Sequence, residues 1–333
     1  MKQFRAGIAI AGSGSATPAA TLDNHQLSHL VETSDEWIRT RTGIGMRHLA
    51  SPQETLSQLA AEAGKKAIVM ANLAPENIDL IVLATSTPDD LFGSAAKIQS
   101  EIGAVSAVAF DLTAACSGFV FGMVTAAQFI RTGVYRHVLL IGADVLSPWV
   151  DWSDRASCIL FGDGAGAVVM QATEDRDRLL GFSLHSDGHK NNTLNLSFQG
   201  ENLTLVNGVE VRQGNYQSIT MNGREVYRFA VDKVPEVISK ALYNAELTTE
   251  AIDWLLLHQA NQRIMDAVAN RLNISREKVI SNLAKYGNTS AASIPLALDE
   301  AVREGKVKTG DRIAAAGFGA GLTWGAAIFE WGI

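Results

Sequence analysis

The sequence predicts an α/β protein made of two copies of one unit, and three observations carry that expectation. Short apolar runs such as IDLIVLA (78–84), HVLLIGA (137–143) and IDWLLLH (252–258) have strand length and no polar face, as in sheets covered on both sides. The stretch 112–130 carries no charge at all, and a helix apolar on every face is a buried helix. The segment LAPENIDLIVLATST (73–87) returns 174 residues later as LTTEAIDWLLLHQAN (247–261), each copy following a helical pattern that holds Lys-Ala.

Taken in order, the apolar run 6–12 reads as a first strand, and the GSGSATP that follows (12–18) reads as its turn. Lys2 and Arg5 precede that run, which is too short for an export signal. After the strand at 78–84 comes FDLTAACSGFVFGMVTAAQFIRTG (110–133), a strand passing into the uncharged helix with Cys116 at the helix mouth. A membrane span needs roughly 20 predominantly apolar residues. This helix instead includes Thr113, Cys116, Ser117, Gly118, Gly122, Thr125 and Gln128, so no membrane partner is expected. GSGS (12–15) and GDGAG (162–166) look like phosphate loops but lack the helix such a cradle requires, and both read as turns.

In the second half, YGNTSAASIPLALDEAVREG (286–305) aligns with the Cys116 stretch so that Arg131 and Gly133 face Arg303 and Gly305. In that register Cys116 falls opposite Asn288. RIAAAGFG (312–319) then matches HVLLIGAD (137–144). The expected division is residues 1–180 with Cys116 and residues 181–333 with His258 and Asn288. A chain of 333 residues is also longer than one core usually sustains. A net charge of −7 argues against nucleic acid as a partner. Cys116 and Cys158 alone make no disulfide framework and suit a reducing cytoplasm, Cys158 reading as inert in a strand pattern. His25 and His29, like His185 and His189, have no companions at metal-ligand spacing, so no metal is expected.

A helix mouth presents free N–H groups that lower a cysteine's pKa, and a thiolate there is a good acyl acceptor. The Gly-rich turn GFGAG (317–321) offers a second set of N–H groups to polarise an acyl carbonyl. His258 ends a strand, where α/β sheets present their chemistry, and a pseudo-twofold relation brings it and Asn288 towards Cys116. A Cys–His pair also permits a hydrolase, against which stands the lack of a carboxylate to orient the histidine.

Over essentially its whole length the chain resembles the β-ketoacyl-acyl carrier protein synthase III family. The matching pieces are ETSDEWIRTRTGI (32–44), TSTPDDLFGSAAKIQ (85–99), DLTAACSGF (111–119), ILFGDGAGAVV (159–169), LLHQANQRI (256–264), YGNTSAASIP (286–295) and GFGAGLTWG (317–325). The resemblance implies a thiolase-like five-layered αβαβα architecture, a homodimer, and a decarboxylative Claisen condensation of acetyl-CoA with malonyl-acyl carrier protein. It implies no cofactor, since CoA and the carrier's phosphopantetheine thioesters are substrates. Carried over by motif, Cys116 takes the acyl group while His258 and Asn288 serve decarboxylation. The backbone N–H groups of Cys116 and Ala320 form the oxyanion hole, with Ala320 standing where the family usually has glycine. Thr33, Trp37, Arg41, Arg155 and Asn261 match CoA contacts, Trp37 and Arg155 enclosing the adenine. Gln259, Ala260, Asn261, Gln262 and Arg263, with Arg228, match the carrier-protein surface. Phe92 matches a phenylalanine that crosses the dimer interface to floor the partner's acyl pocket. Other readings are a relative using another primer, a cysteine thioesterase, and a non-catalytic acyl-binding protein.

Overall fold

The computed structural model describes residues 6–332, so Lys2 and Arg5 lie outside the described residues. Two five-stranded sheets organise the chain. The first contains β1 (Gly7–Ala16), β2 (Leu80–Ala84), β3 (Val108–Leu112), β4 (His137–Asp144) and β5 (Gly164–Thr173), side by side in the order β1-β5-β4-β2-β3. The second contains β6 (Leu179–Ser186), β7 (Trp254–Leu257), β8 (Val279–Ile280), β9 (Arg312–Gly319) and β10 (Thr323–Glu330), in the order β6-β10-β9-β7-β8. In each sheet the last three strands of that order run parallel and the first two pairings are antiparallel. The repeat in the sequence is therefore a repeat of strand order and direction.

Helices complete five layers. On the outer face of the first sheet lie α2 (Leu56–Met70) and α3 (Ala95–Ile102), after the short α1 (Asp35–Thr42). On the outer side of the second lie α5 (Gly223–Asn244) and α6 (Gln262–Arg271). Between the sheets, touching both, lie α4 (Gly118–Arg131) and α7 (Ser293–Arg303). This position accounts for the composition of α4, whose Phe119, Val120, Met123, Ala126, Ala127 and Ile130 are buried and whose first charge is its last residue, Arg131. Among the described residues, no helix is long and apolar enough to cross a membrane.

Two local expectations are corrected. GSGS is not a turn but the middle of β1, which runs on to Ala16. Side chains alternate along a strand, so Gly12 and Gly14 face α2, where a Cβ on Gly14 would lie 2.2 Å from the Ala63 carbonyl oxygen. Ser13 and Ser15 face α7, and their hydroxyls donate to the buried Asp299 carboxylate at 2.8 and 2.7 Å. Asp299 also takes the Arg303 Nε–H at 2.9 Å, so the buried acid of this helix is paired. The second correction concerns register. A short 3₁₀ turn precedes each central helix, Ala115–Ser117 before α4 and Ser290–Ala292 before α7. Cys116 therefore matches Ala291, not Asn288, and Ala115 (φ 47°) matches Ser290 (φ 50°). With 14 residues in α4 and 11 in α7, an alignment anchored at their ends slips by three at their starts.

Candidate active site

The first turns of the two central helices meet, and the site is built on that contact. Cys116 sits in the turn before α4 and is 8% exposed. Ser290, in the facing turn, donates its hydroxyl to Cys116 Sγ at 3.3 Å. The end of β9 closes against the cysteine so tightly that a Cβ on Gly319 would lie 2.7 Å from Cys116 N, a distance only glycine permits. Ala320 follows. The Thr323 hydroxyl lies 3.0 Å from the carbonyl oxygens of both Ala114 and Ala320 and 2.8 Å from the Ser117 hydroxyl. It thereby ties the cysteine turn to the turn carrying Ala320.

His258 follows β7 and is held by its own N–H, which donates to Ala316 O at 2.8 Å. Its Nδ1 lies 2.7 Å from the hydroxyl of Ser293, the first residue of α7, leaving Nε2 free of that bond. A serine thus occupies the orienting position for which no carboxylate was visible in the sequence. Asn288 is wedged between backbone groups, its N–H donating to Leu160 O at 2.9 Å and its O accepting from Gly162 N at 3.0 Å. Its side-chain Oδ1 accepts from Ser290 N at 2.9 Å, which leaves the amide NH₂ available.

Cys116, His258 and Asn288 line one cavity of about 560 Å³. Its lining also includes Arg41, Arg224, Arg228 and Arg263 and no carboxylate, in a chain of net charge −7. Arg224 had no motif to identify it. Burial pushes the Cys116 thiol up to about 12, with the nearby Asp144 acting in the same direction and the Ser290 hydrogen bond opposing both. Against the low thiol pKa expected from the helix mouth, desolvation dominates and favours the protonated thiol. Burial likewise holds His258 down at about 3, so its imidazole is neutral.

The other sequence-derived positions are distributed as follows. Trp37 is flanked by guanidinium groups, Arg41 at 4.7 Å and Arg155 at 4.9 Å from the ring centroid. Arg155 also donates to Glu32 O at 3.0 Å. Carbon contacts need about 3.5 Å on each side of an inserted ring, so adenine enters between Trp37 and Arg155 only if Arg155 moves. Thr33 is outside the cavity lining, with its hydroxyl buried and unpartnered. Asn261 lines the cavity, caps α6 by accepting from Arg263 N at 2.8 Å, and donates to Arg41 O at 3.0 Å. Ala260 and Arg263 also line it, while Gln262 is turned to Asp266 at 2.8 Å. Gln259 is a correction. It is 1% exposed, and its amide bonds Leu257 O, Ile280 O and Asn282 N, so its side chain offers nothing to a carrier protein. Phe92 is fully exposed and does not reach this chain's own cavity.

Comparison with known proteins gives one answer. Residues 110–188 match the family model of 3-oxoacyl-[acyl-carrier-protein (ACP)] synthase III, and residues 242–331 match the model of its C-terminal part. The chain is 69% identical over 332 residues to a β-ketoacyl-[acyl-carrier-protein] synthase III of Microcystis aeruginosa, covering 100% of both chains. It is 70% identical over 326 residues to one of Nostoc sp., covering 98% of each. The crystal structure of 3-oxoacyl-[acyl-carrier-protein] synthase III from Aquifex aeolicus superposes with a TM-score of 0.90 at 44% identity, over 98% of this chain and 100% of that one.

The neutral His258 has a measurable consequence. Its folded-state value, about 3, lies below the ordinary 6.5. Between those limits the unfolded chain binds a proton that the native site refuses, so stability drops as pH falls, by up to about 1.4 kcal/mol per pH unit. Urea midpoints measured from pH 7.5 to 4.5 should fall more steeply for the wild type than for His258→Gln. Parallel curves would mean that the imidazole takes up its proton without unfolding.

Proposed function

This chain belongs to the β-ketoacyl-[acyl-carrier-protein] synthase III family, and from that membership we propose how its residues divide the reaction. The enzyme is an acyltransferase that initiates fatty acid synthesis. It condenses acetyl-CoA with malonyl-acyl carrier protein to give acetoacetyl-carrier protein, CoA and CO₂. The observation that supports the assignment of roles is the convergence of Cys116 from one half, and of His258 and Asn288 from the other, on a single cavity.

In the first half-reaction Cys116 Sγ attacks the acetyl thioester carbonyl, the bond to the CoA sulfur breaks, and the thiol proton passes to that sulfur. Backbone N–H groups of Cys116 and Ala320 hold the oxygen's developing charge. In the second, the bond between the malonyl Cα and its carboxyl carbon breaks, CO₂ leaves, and the electron pair stays as an enolate. His258 and Asn288 stabilise that enolate through its thioester oxygen, Asn288 with the amide hydrogens that Ser290 leaves free. With Ser293 donating to Nδ1, His258 presents an Nε2–H to the same oxygen. The enolate then attacks the acetyl carbonyl, the bond to Cys116 breaks, and the sulfur regains a proton from the medium. The arginines at the cavity suit the phosphates of the thioester carriers, and Arg228 and Arg263 suit an acidic carrier protein. Cys116 and Cys158 are free thiols, in keeping with a reducing cytoplasm.

Mass spectrometry of the protein after incubation with acetyl-CoA should place an acetyl group on Cys116, and Cys116→Ala should acquire none. Asn288→Ala should still be acetylated yet lose about two to three orders of magnitude in CO₂ release from malonyl-carrier protein, the usual cost of an oxyanion donor. Wild-type decarboxylation by that variant would remove Asn288 from the second half-reaction.

A homodimer is part of the same reading. β3 is an edge strand of the first sheet, and an unprotected edge is a pairing template. Around it Leu91, Phe92, Val105 and Val108 are exposed, Phe92 completely. A second copy placed there would bury these side chains and carry Phe92 towards the partner's acyl pocket. Phe92→Ala should therefore extend the primers accepted from acetyl-CoA to longer acyl-CoAs, by about one to two powers of ten in relative rate. Competition among acyl-CoAs, with dimer state checked by light scattering, measures this. An unchanged primer spectrum in a dimeric variant would return Phe92 to ordinary packing.

A further inference from the structure

A buried carboxylate stands behind the Cys116 sulfur, and the acyl chemistry above makes no use of it. Asp144, the last residue of β4, is fully buried. Its Oδ1 accepts from Thr85 Oγ1 at 3.0 Å, Ser86 N at 2.8 Å and Thr87 Oγ1 at 3.1 Å, and its Oδ2 accepts from Ala291 N at 3.1 Å. Burial pushes the Asp144 carboxyl up, and the Ser290 hydroxyl beside it opposes that shift. The same hydroxyl lies 3.3 Å from Cys116 Sγ. Ser290 holds a φ of 50°, a conformation that costs any residue with a side chain, and its N–H is fixed by Asn288 Oδ1 at 2.9 Å.

We propose that Ser290 is a positioning residue for the nucleophile, its single hydroxyl proton shared between the Cys116 sulfur and the Asp144 carboxylate. At rest the serine hydroxyl donates to Sγ, with the Cys116 S–H on the cavity side. That bond strengthens as negative charge develops on the sulfur during attack. Asp144 keeps the four donors from Thr85, Ser86, Thr87 and Ala291. No atom is transferred along this chain, because the thiol proton departs on the cavity side. Through its backbone the same residue aligns Asn288, so one strained serine sets the geometry of both half-reactions. Of the titratable groups on the elements packed around Cys116, Asp144 and His258 are the ones that face it. Arg131, Arg312 and Glu330 stand at the far ends of α4, β9 and β10.

The inference rests on Cys116 being the nucleophile, but its test reads the sulfur directly and does not depend on acyl transfer. The test is the rate of alkylation by iodoacetamide at pH 7, 8 and 9, with Cys116 and Cys158 followed separately by mass spectrometry. Ser290→Ala removes the donor to the thiolate and should slow alkylation of Cys116 severalfold at each pH. Ser290→Gly relieves the positive φ but also lacks the hydroxyl, and should slow it likewise. Asp144→Asn removes the negative charge behind the sulfur and should speed alkylation severalfold. Cys158, fully buried, should not respond in any of them. A purely structural role would loosen the site in all the variants and move their rates in one direction. Faster or unchanged alkylation in Ser290→Ala, or slower alkylation in Asp144→Asn, overturns the proposal. Should Asp144→Asn fail to fold, infrared spectra of wild-type protein carrying ¹³C-aspartate supply that arm. Acetylation of Cys116 weakens Sγ as an acceptor, frees the serine proton towards Asp144 and should shift the carboxylate band, and an unshifted band counts against the proposal.

Discussion

Two helices whose residues are mostly buried lie between two sheets, and that constraint governs the rest of the molecule. Covering α4 and α7 from both sides brings their first turns together. The approach is close enough that a Cβ on Gly142 would lie 2.3 Å from Ala291 O and one on Gly319 would lie 2.7 Å from Cys116 N. Residues 174 apart in the chain, Cys116 and Ser290, thus come within hydrogen-bond reach. Neither half of the chain holds the whole site, because the site is the seam between them.

Burial at that seam also dictates the charge states. A thiol pushed up to about 12 and an imidazole held near 3 are both neutral at physiological pH. The floor of the cavity therefore carries no charge on Cys116 or His258. Charge enters with the substrate and is met by oriented donors, which is where preorganised hydrogen bonds act with greatest effect. Around this neutral floor the arginines at positions 41, 224, 228 and 263 supply the long-range attraction that a net charge of −7 otherwise denies to anionic thioesters.

The buried strands were legible in the sequence because strands covered on both faces must be continuous apolar runs, and IDLIVLA and IDWLLLH could scarcely be anything else. GSGS was misread because its small residues answer to tertiary neighbours, α2 on one face and Asp299 on the other, that local composition does not contain. Aligning the helix ends put Asn288 opposite Cys116, an error of three residues that equals the difference in helix length. Cys116, His258 and Asn288 were visible as motif residues. Ser293, Ser290 and Asp144 were not, since what defines them is contact across 35, 174 and 147 residues of chain. Gln259 shows the converse: adjacency within HQAN suggested a shared surface, whereas its amide turns inward to hold β7, β8 and Asn282.

In the mechanism proposed, the seam offers two separate sets of donors, backbone N–H groups for the acyl oxygen and His258 with Asn288 for the malonyl thioester. A crystal structure of the enzyme acetylated on Cys116 tests it most directly. The acetyl oxygen should lie about 2.7–3.1 Å from the N–H groups of Cys116 and Ala320, with His258 Nε2 and the Asn288 amide unoccupied by it. An acetyl oxygen bound instead by His258 and Asn288 would contradict the division of labour on which the mechanism rests.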